Sequence, residues 1–108
     1  MDESQFKTLR ELAKDGTLSQ RDLSRRMGLS LGRVNYVINA LLEKGYIKAE
    51  RFKNAKNKIG YMYILTPSGI TEKLRQTQHF LHSKTEEYER LKSEIEQLRD
   101  ETQKRSLF

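Results

Sequence analysis

The chain has 108 residues, 35% of them hydrophobic, a formal net charge of +6 and no cysteine, a composition that fits one domain with an appendage and a modest core. Lack of cysteine excludes disulfides, thiolate chemistry and cysteine-ligated zinc. No run approaches the ~18 to 20 apolar residues of a bilayer span, and MDESQFKTLRELAKDG has no apolar signal-peptide core, so the expected location is the cytoplasm.

The first segment, SQFKTLRELAKDG, sets Phe6, Leu9, Leu12 and Ala13 at helical spacing and ends on Asp15 and Gly16, the signature of a left-handed stop. In TLSQRDLSRRMG, Ser19 is a suitable N-cap, and Leu23 and Met27 share one face of a short second helix before Gly28. Ser30 then caps a third helix whose apolar stripe is Val34, Ile38 and Leu41, with Val37 and Leu42 at its margin and Gly45 closing it. Two short helices joined by a glycine-containing turn, braced by a helix before them, make a helix-turn-helix pattern.

From Tyr46 the period changes. YIKAERFK and KIGYMYIL are rich in aromatic and β-branched residues and flank the turn residues NAKN, which predicts a β-hairpin. Gly60 within the second strand signals a bulge or a close backbone approach. Tyr46, Phe52, Tyr61, Met62 and Tyr63 are expected to pack the hairpin on the helices rather than to stack on bases. Thr66 and Pro67 read as an N-cap and a first helical residue. The predicted fold is therefore mainly α with a small β-hairpin: a winged helix-turn-helix head over residues 1–68 and a long C-terminal helix over 69–108.

That tail has neither proline nor glycine after Gly69. Leu74, Leu81, Tyr88 and Ile95 recur at one heptad position, and Thr77, Lys84, Leu91 and Leu98 follow three residues after each, an a/d seam strongest from Tyr88 to Leu98. The dimerisation set is thus Leu74, Leu81, Tyr88, Leu91, Ile95 and Leu98. In a parallel pair Glu87 meets Lys92 and Glu94 meets Arg99 of the second copy, whereas antiparallel pairing sets glutamate against glutamate. A single amphipathic helix folding back on the head is the alternative.

Charge follows the same division. Residues 1–70 hold 13 Lys and Arg against 7 Asp and Glu, and residues 71–108 hold 8 against 8. The excess points to a polyanion-binding head and a balanced tail. On the third helix Gly32, Tyr36 and Asn39 lie opposite the apolar stripe, with Arg33 and Asn35 beside them and Ser30 at the cap. Arginine and asparagine are the residues that bond guanine and adenine edges in the major groove. These six are the base-reading candidates. Gly32, a costly residue in a helix, then admits close approach of backbone to DNA; the alternative is tight packing between the second and third helices. Ser19, Gln20, Arg21 and Arg25 are candidate backbone contacts at the second helix. Arg51, Lys53, Lys56 and Lys58 are candidate wing contacts, or else a solubilising turn that guards a hairpin edge.

His79 and His82 lack a completing ligand, and no paired acid and base, nucleophile motif or phosphate loop is present, so neither metal, cofactor nor enzymatic activity is expected. The two function classes are a double-stranded DNA-binding regulator and a protein-interaction adaptor using the coiled coil, with an RNA-binding winged helix as a third.

LSQRDLSRRMGLSLGRVNYVINALLEKGYIK, followed by FKNAKNKIGYMYILTPSGI and a helical tail, closely resembles the exopolysaccharide-associated regulators of the MarR family, bacterial winged-helix transcription factors. The resemblance is most specific at SLGRVNY, at KNAKNK with its following GY, and at LTPSGI. It implies a dimeric DNA-binding regulator of exopolysaccharide or related genes. Typical members are longer and often hold a ligand in a cleft of their dimerisation domain, a feature not carried over here; any small-molecule effector is unknown.

Overall fold

The computed structural model of the chain describes residues 1–53 and 59–106. Its elements run α1 (Glu3–Lys14), α2 (Gln20–Met27), α3 (Leu31–Glu43), β1 (Ile47–Lys53), β2 (Ile59–Leu65) and α4 (Pro67–Ser106). Contacts divide the chain into two compact units, Met1–Gln76 and Thr77–Phe108.

Local chemistry accounts for most helix ends in the first unit. Asp2 caps α1 by accepting from the Gln5 N–H at 2.8 Å. Ser19 and Asp22 form a full capping box at α2, each side chain accepting the other's backbone N–H. Ser30 Oγ accepts from the Arg33 N–H at 3.1 Å and starts α3. Gly28 and Gly45 sit at φ +65 and +74, the left-handed conformation that only glycine enters without strain. Gly45 N–H bonds the Leu42 carbonyl and Tyr46 N–H that of Leu41, which completes a Schellman end to α3.

The end of α1 differs from the sequence expectation. Asp15 is extended, with φ −153 and ψ 101, and Gly16 has no positive φ. The Asp15 carboxylate instead takes the N–H and the hydroxyl of Thr17. The glycine is needed for proximity: its carbonyl accepts the Tyr63 N–H at 3.1 Å, and a Cβ there would stand 3.1 Å from the Tyr63 carbonyl oxygen.

Leu9, Leu12, Leu18, Leu23, Val34, Val37, Ile38, Leu41 and Ile47 form the core. Phe6 is buried with them, whereas Ala13 is exposed. Thr8, inside this region, donates its hydroxyl to the Ser4 carbonyl at 2.8 Å and so is not orphaned. β1 and β2 pair antiparallel in unbroken register from Ile47↔Leu65 to Lys53↔Ile59. There is accordingly no bulge at Gly60; the Phe52 ring lies over it, 3.0 Å from where a Cβ would be. Tyr46 and Tyr63 pack on the core, but Tyr61 is 56% exposed, because the hairpin projects beyond the helices and leaves its outer residues no apolar surface to meet.

Thr66 caps α4 through its hydroxyl, which accepts the Gly69 N–H at 3.1 Å. Gly69 is buried against the end of α3: a Cβ there would fall 1.9 Å from the Tyr46 carbonyl oxygen. In the second unit the helix continues without interruption to Ser106, and Leu81, Tyr88, Leu91, Ile95 and Leu98 are all exposed, from 48 to 66%. Lys84, within the expected seam, leans to Glu87 at 3.4 Å. No described helix is long and apolar enough to cross a membrane.

Candidate nucleic-acid interface

Capping by Ser30 and burial of Val34, Val37, Ile38 and Leu41 orient α3 so that its other face is open. Gly32, Arg33, Asn35, Tyr36 and Asn39 all lie on that face and are all exposed. A Cβ added at Gly32 would meet nothing within 4 Å, which removes the packing explanation for this glycine.

The polar side chains on this face are linked rather than loose. Arg33 stacks its guanidinium over the Tyr36 ring, 5.2 Å from the centroid, and donates to Asp2 at 3.4 Å. Asn39 Nδ2 donates to Asn35 Oδ1 at 3.1 Å, and Asn35 Nδ2 donates to Gln20 Oε1 of α2 at 3.2 Å. Gln20 Nε2 in turn donates to the Tyr63 hydroxyl of β2 at 3.2 Å. α2 thus contributes a side chain to the α3 surface as well as a flank to it.

On that flank Arg25 pairs with Asp22 at 3.0 Å, and exposed Arg21 forms no ion pair with a described residue. Arg21, Ser24, Arg25 and Leu31 line a shallow depression beside the first turn of α3. Ser19 is exposed, its hydroxyl accepting the Asp22 N–H. Two hydrogen bonds from Ser19, the backbone one foremost, hold the Asp22 carboxyl below its ordinary value of 3.8. On the hairpin Arg51 and Lys53 are exposed, while Lys56 and Lys58 lie outside the described residues.

Three residues of this surface escaped the sequence. Leu31 is 44% exposed on the first turn of α3, an apolar group of the kind that meets a thymine methyl. Tyr61 stands opposite Arg51 across the ladder. Asp2 meets Arg33 from α1, a pairing over 31 residues that no local pattern announces. Among the described residues no cluster of three or more His, Cys, Asp or Glu could hold a metal.

A family model described as winged helix-turn-helix DNA-binding matches residues 1–48, from the start of the chain to the first strand. The class that fold and match together define is the winged helix-turn-helix, and the solved structures that share it include MarR proteins. In particular, the chain is similar to a mutant of E. coli MarR solved with operator DNA, at 24% identity and a TM-score of 0.59 over 72% of this chain and 54% of that one. It is likewise similar to FabT of Streptococcus pneumoniae solved with DNA, at 23% identity and a TM-score of 0.58 over 81% and 59%. The adhesin competence repressor of Streptococcus pyogenes aligns at 20% identity and a TM-score of 0.62 over 84% and 65%. These are likenesses of fold, and the chain spans only about half to two thirds of each of those proteins. No curated protein matches the chain in sequence.

Proposed function

We propose that the chain is a homodimeric, sequence-specific, double-stranded DNA-binding transcriptional regulator working in the cytoplasm. The observation that carries this reading is the open face of α3, where Gly32, Arg33, Asn35, Tyr36 and Asn39 stand together on a helix capped by Ser30. Arginine and asparagine there match guanine and adenine edges, each good bidentate pair discriminating by about 1 to 3 kcal/mol. Ser19, Gln20, Arg21 and Arg25 hold one phosphate strand, and Arg51, Lys53, Lys56 and Lys58 of the wing hold the flanking groove. Two proteins of this fold, MarR and FabT, were solved with DNA, which supports the same use of the fold here.

Residues 1–68 form the DNA-binding head and 69–108 the pairing helix in this reading. Leu74, Leu81, Tyr88, Leu91, Ile95 and Leu98, all exposed, supply a seam that one chain leaves uncovered. Parallel pairing is favoured by Glu87 with Lys92 and Glu94 with Arg99. Two-fold symmetry then calls for an inverted-repeat operator with half-sites ~10 bp, or a multiple, apart. The link to exopolysaccharide genes rests on the resemblance at SLGRVNY, KNAKNK and LTPSGI alone. No effector is proposed.

The test is an anisotropy titration of the full chain with duplexes from its own promoter region and with unrelated duplexes at ~150 mM salt. Selective binding that Arg33→Ala and Asn35→Ala abolish is the expected result, and equal affinity for all duplexes refutes sequence-specific reading. If those variants leave cellular output unchanged while Leu91→Asp abolishes it, the adaptor class is correct instead.

A further inference from the structure

We propose that Tyr63 and Gln20 are positioning residues that hold the Asn35 and Asn39 amides in one coupled hydrogen-bonded row before any duplex arrives. The inference rests on the reading that α3 faces DNA, and it assigns to a wing-strand tyrosine a part in specificity. The three hydrogen bonds run in one sense, from Asn39 Nδ2 to Asn35 Oδ1, from Asn35 Nδ2 to Gln20 Oε1 and from Gln20 Nε2 to Tyr63 Oη, at 3.1, 3.2 and 3.2 Å.

A primary amide has two N–H donors on one end and an acceptor oxygen on the other. A free asparagine on a helix surface flips between two orientations that exchange these ends. Within the relay the orientations are coupled, because reversing one amide sets N–H against N–H or oxygen against oxygen at its neighbour. Asn35 uses one N–H and one lone pair in the relay, and so keeps one N–H and one lone pair for a ligand. That remainder is the set that bonds the N7 and N6 positions of adenine.

Tyr63 supplies the end anchored to the core; its hydroxyl can accept or donate, so it fixes where the row lies while the amides fix one another's sense. It is half-buried on the core, its N–H is held by the Gly16 carbonyl at 3.1 Å, and the close approach of Gly16 fixes where β2 runs. Gln20, also half-buried, is pinned on the first turn of α2 by the capping box beside it. The side chains that meet the bases are thereby referred to the core through Gln20 and Tyr63.

The experiment has two arms, with Tyr63→Phe, Gln20→Met and Gln20→Glu in the full chain. In the DNA-free protein, side-chain amide resonances of Asn35 and Asn39 are followed by NMR. In the second arm, affinity is measured for a selected duplex and for copies with single base-pair changes in the half-site. Tyr63→Phe and Gln20→Met are expected to shift both asparagine amides and to lose about fivefold or more of the discrimination one bidentate pair supplies. Gln20→Glu retains both contacts, because its carboxylate accepts from Asn35 and from the Tyr63 hydroxyl. It is therefore expected to keep the discrimination ratio while weakening binding to every duplex alike. Unmoved amides in Tyr63→Phe overturn the relay, and moved amides with unchanged discrimination overturn its role in reading. A wild-type chain without selectivity overturns the parent reading and this role with it, and is told apart from failure of the relay by the DNA-free spectra.

Discussion

Replacing Gly32 by alanine separates folding from recognition because the two respond with opposite sign. The residue lies on the first turn of α3 in open space, so the added methyl meets no atom within 4 Å and strains no backbone angle. Glycine in a helix costs about 0.5 to 1 kcal/mol relative to alanine, mostly through the freedom it gives the unfolded chain. For a domain of this size that corresponds to a rise in melting temperature of roughly 2 to 8 °C. In the proposed docking the same methyl stands where the helix backbone comes closest to the bases, and Gly32→Leu places a larger group there. Thermal unfolding by circular dichroism is therefore expected to rank alanine above glycine, while anisotropy with the selected duplex ranks glycine above alanine and alanine above leucine. A lower melting temperature for Gly32→Ala would show that the open space is not open in solution. Undiminished duplex affinity for Gly32→Leu would refute the placement of this turn in the groove.

Gly69→Ala is expected to destabilise the head by about 1 to 3 kcal/mol or more in urea denaturation, since its Cβ must displace backbone at Tyr46 rather than a side chain. Asp2→Ala has two effects of opposite sense. Loss of the α1 cap lowers stability by about 0.5 to 2 kcal/mol, while release of Arg33 from its exposed ion pair raises duplex affinity by about 0.2 to 1 kcal/mol, and equal affinity in a titration would refute the pairing as a competitor. Stability is expected to be flat above pH 5 and to fall as pH drops below about 4. Asp22, held below its ordinary 3.8 by Ser19, contributes fully only above that value and loses its contribution as it protonates. A pH series of melts in which Asp22→Asn is as acid-sensitive as the wild type would contradict this.

What could be read from the sequence divides by the range of the interaction concerned. Ser19, Ser30 and Thr66 as caps, Gly28 and Gly45 as stops, and the buried stripe of α3 all depend on neighbours within one or two turns, and each stands where its local pattern put it. Gly16 carries the same dipeptide signal, yet its role is set by a strand that arrives 47 positions later, which no local rule contains. The same holds for Gly69 beneath Tyr46, and for the Gln20 to Tyr63 bond across 43 positions. Tyr61 was misread as core because strand alternation says which residues share a face, not how far the hairpin extends past the helices. The face of α3 was legible as a set of residue types; the hydrogen bonds that order them were not.

The Gly45 carbonyl has a mechanical consequence. It receives the hydroxyl of Thr66 and, at 3.0 Å, that of Ser68, while the next carbonyl, of Tyr46, receives the Thr66 N–H at 3.0 Å. The last turn of α3 and the first turn of α4 are thus riveted at adjacent peptide units, with Gly69 pressed into the same joint. No compliant segment separates the two helices there. Thr66 and Ser68 thereby tie the first turn of α4 into the head, so that a load applied to that turn is taken up by the end of α3.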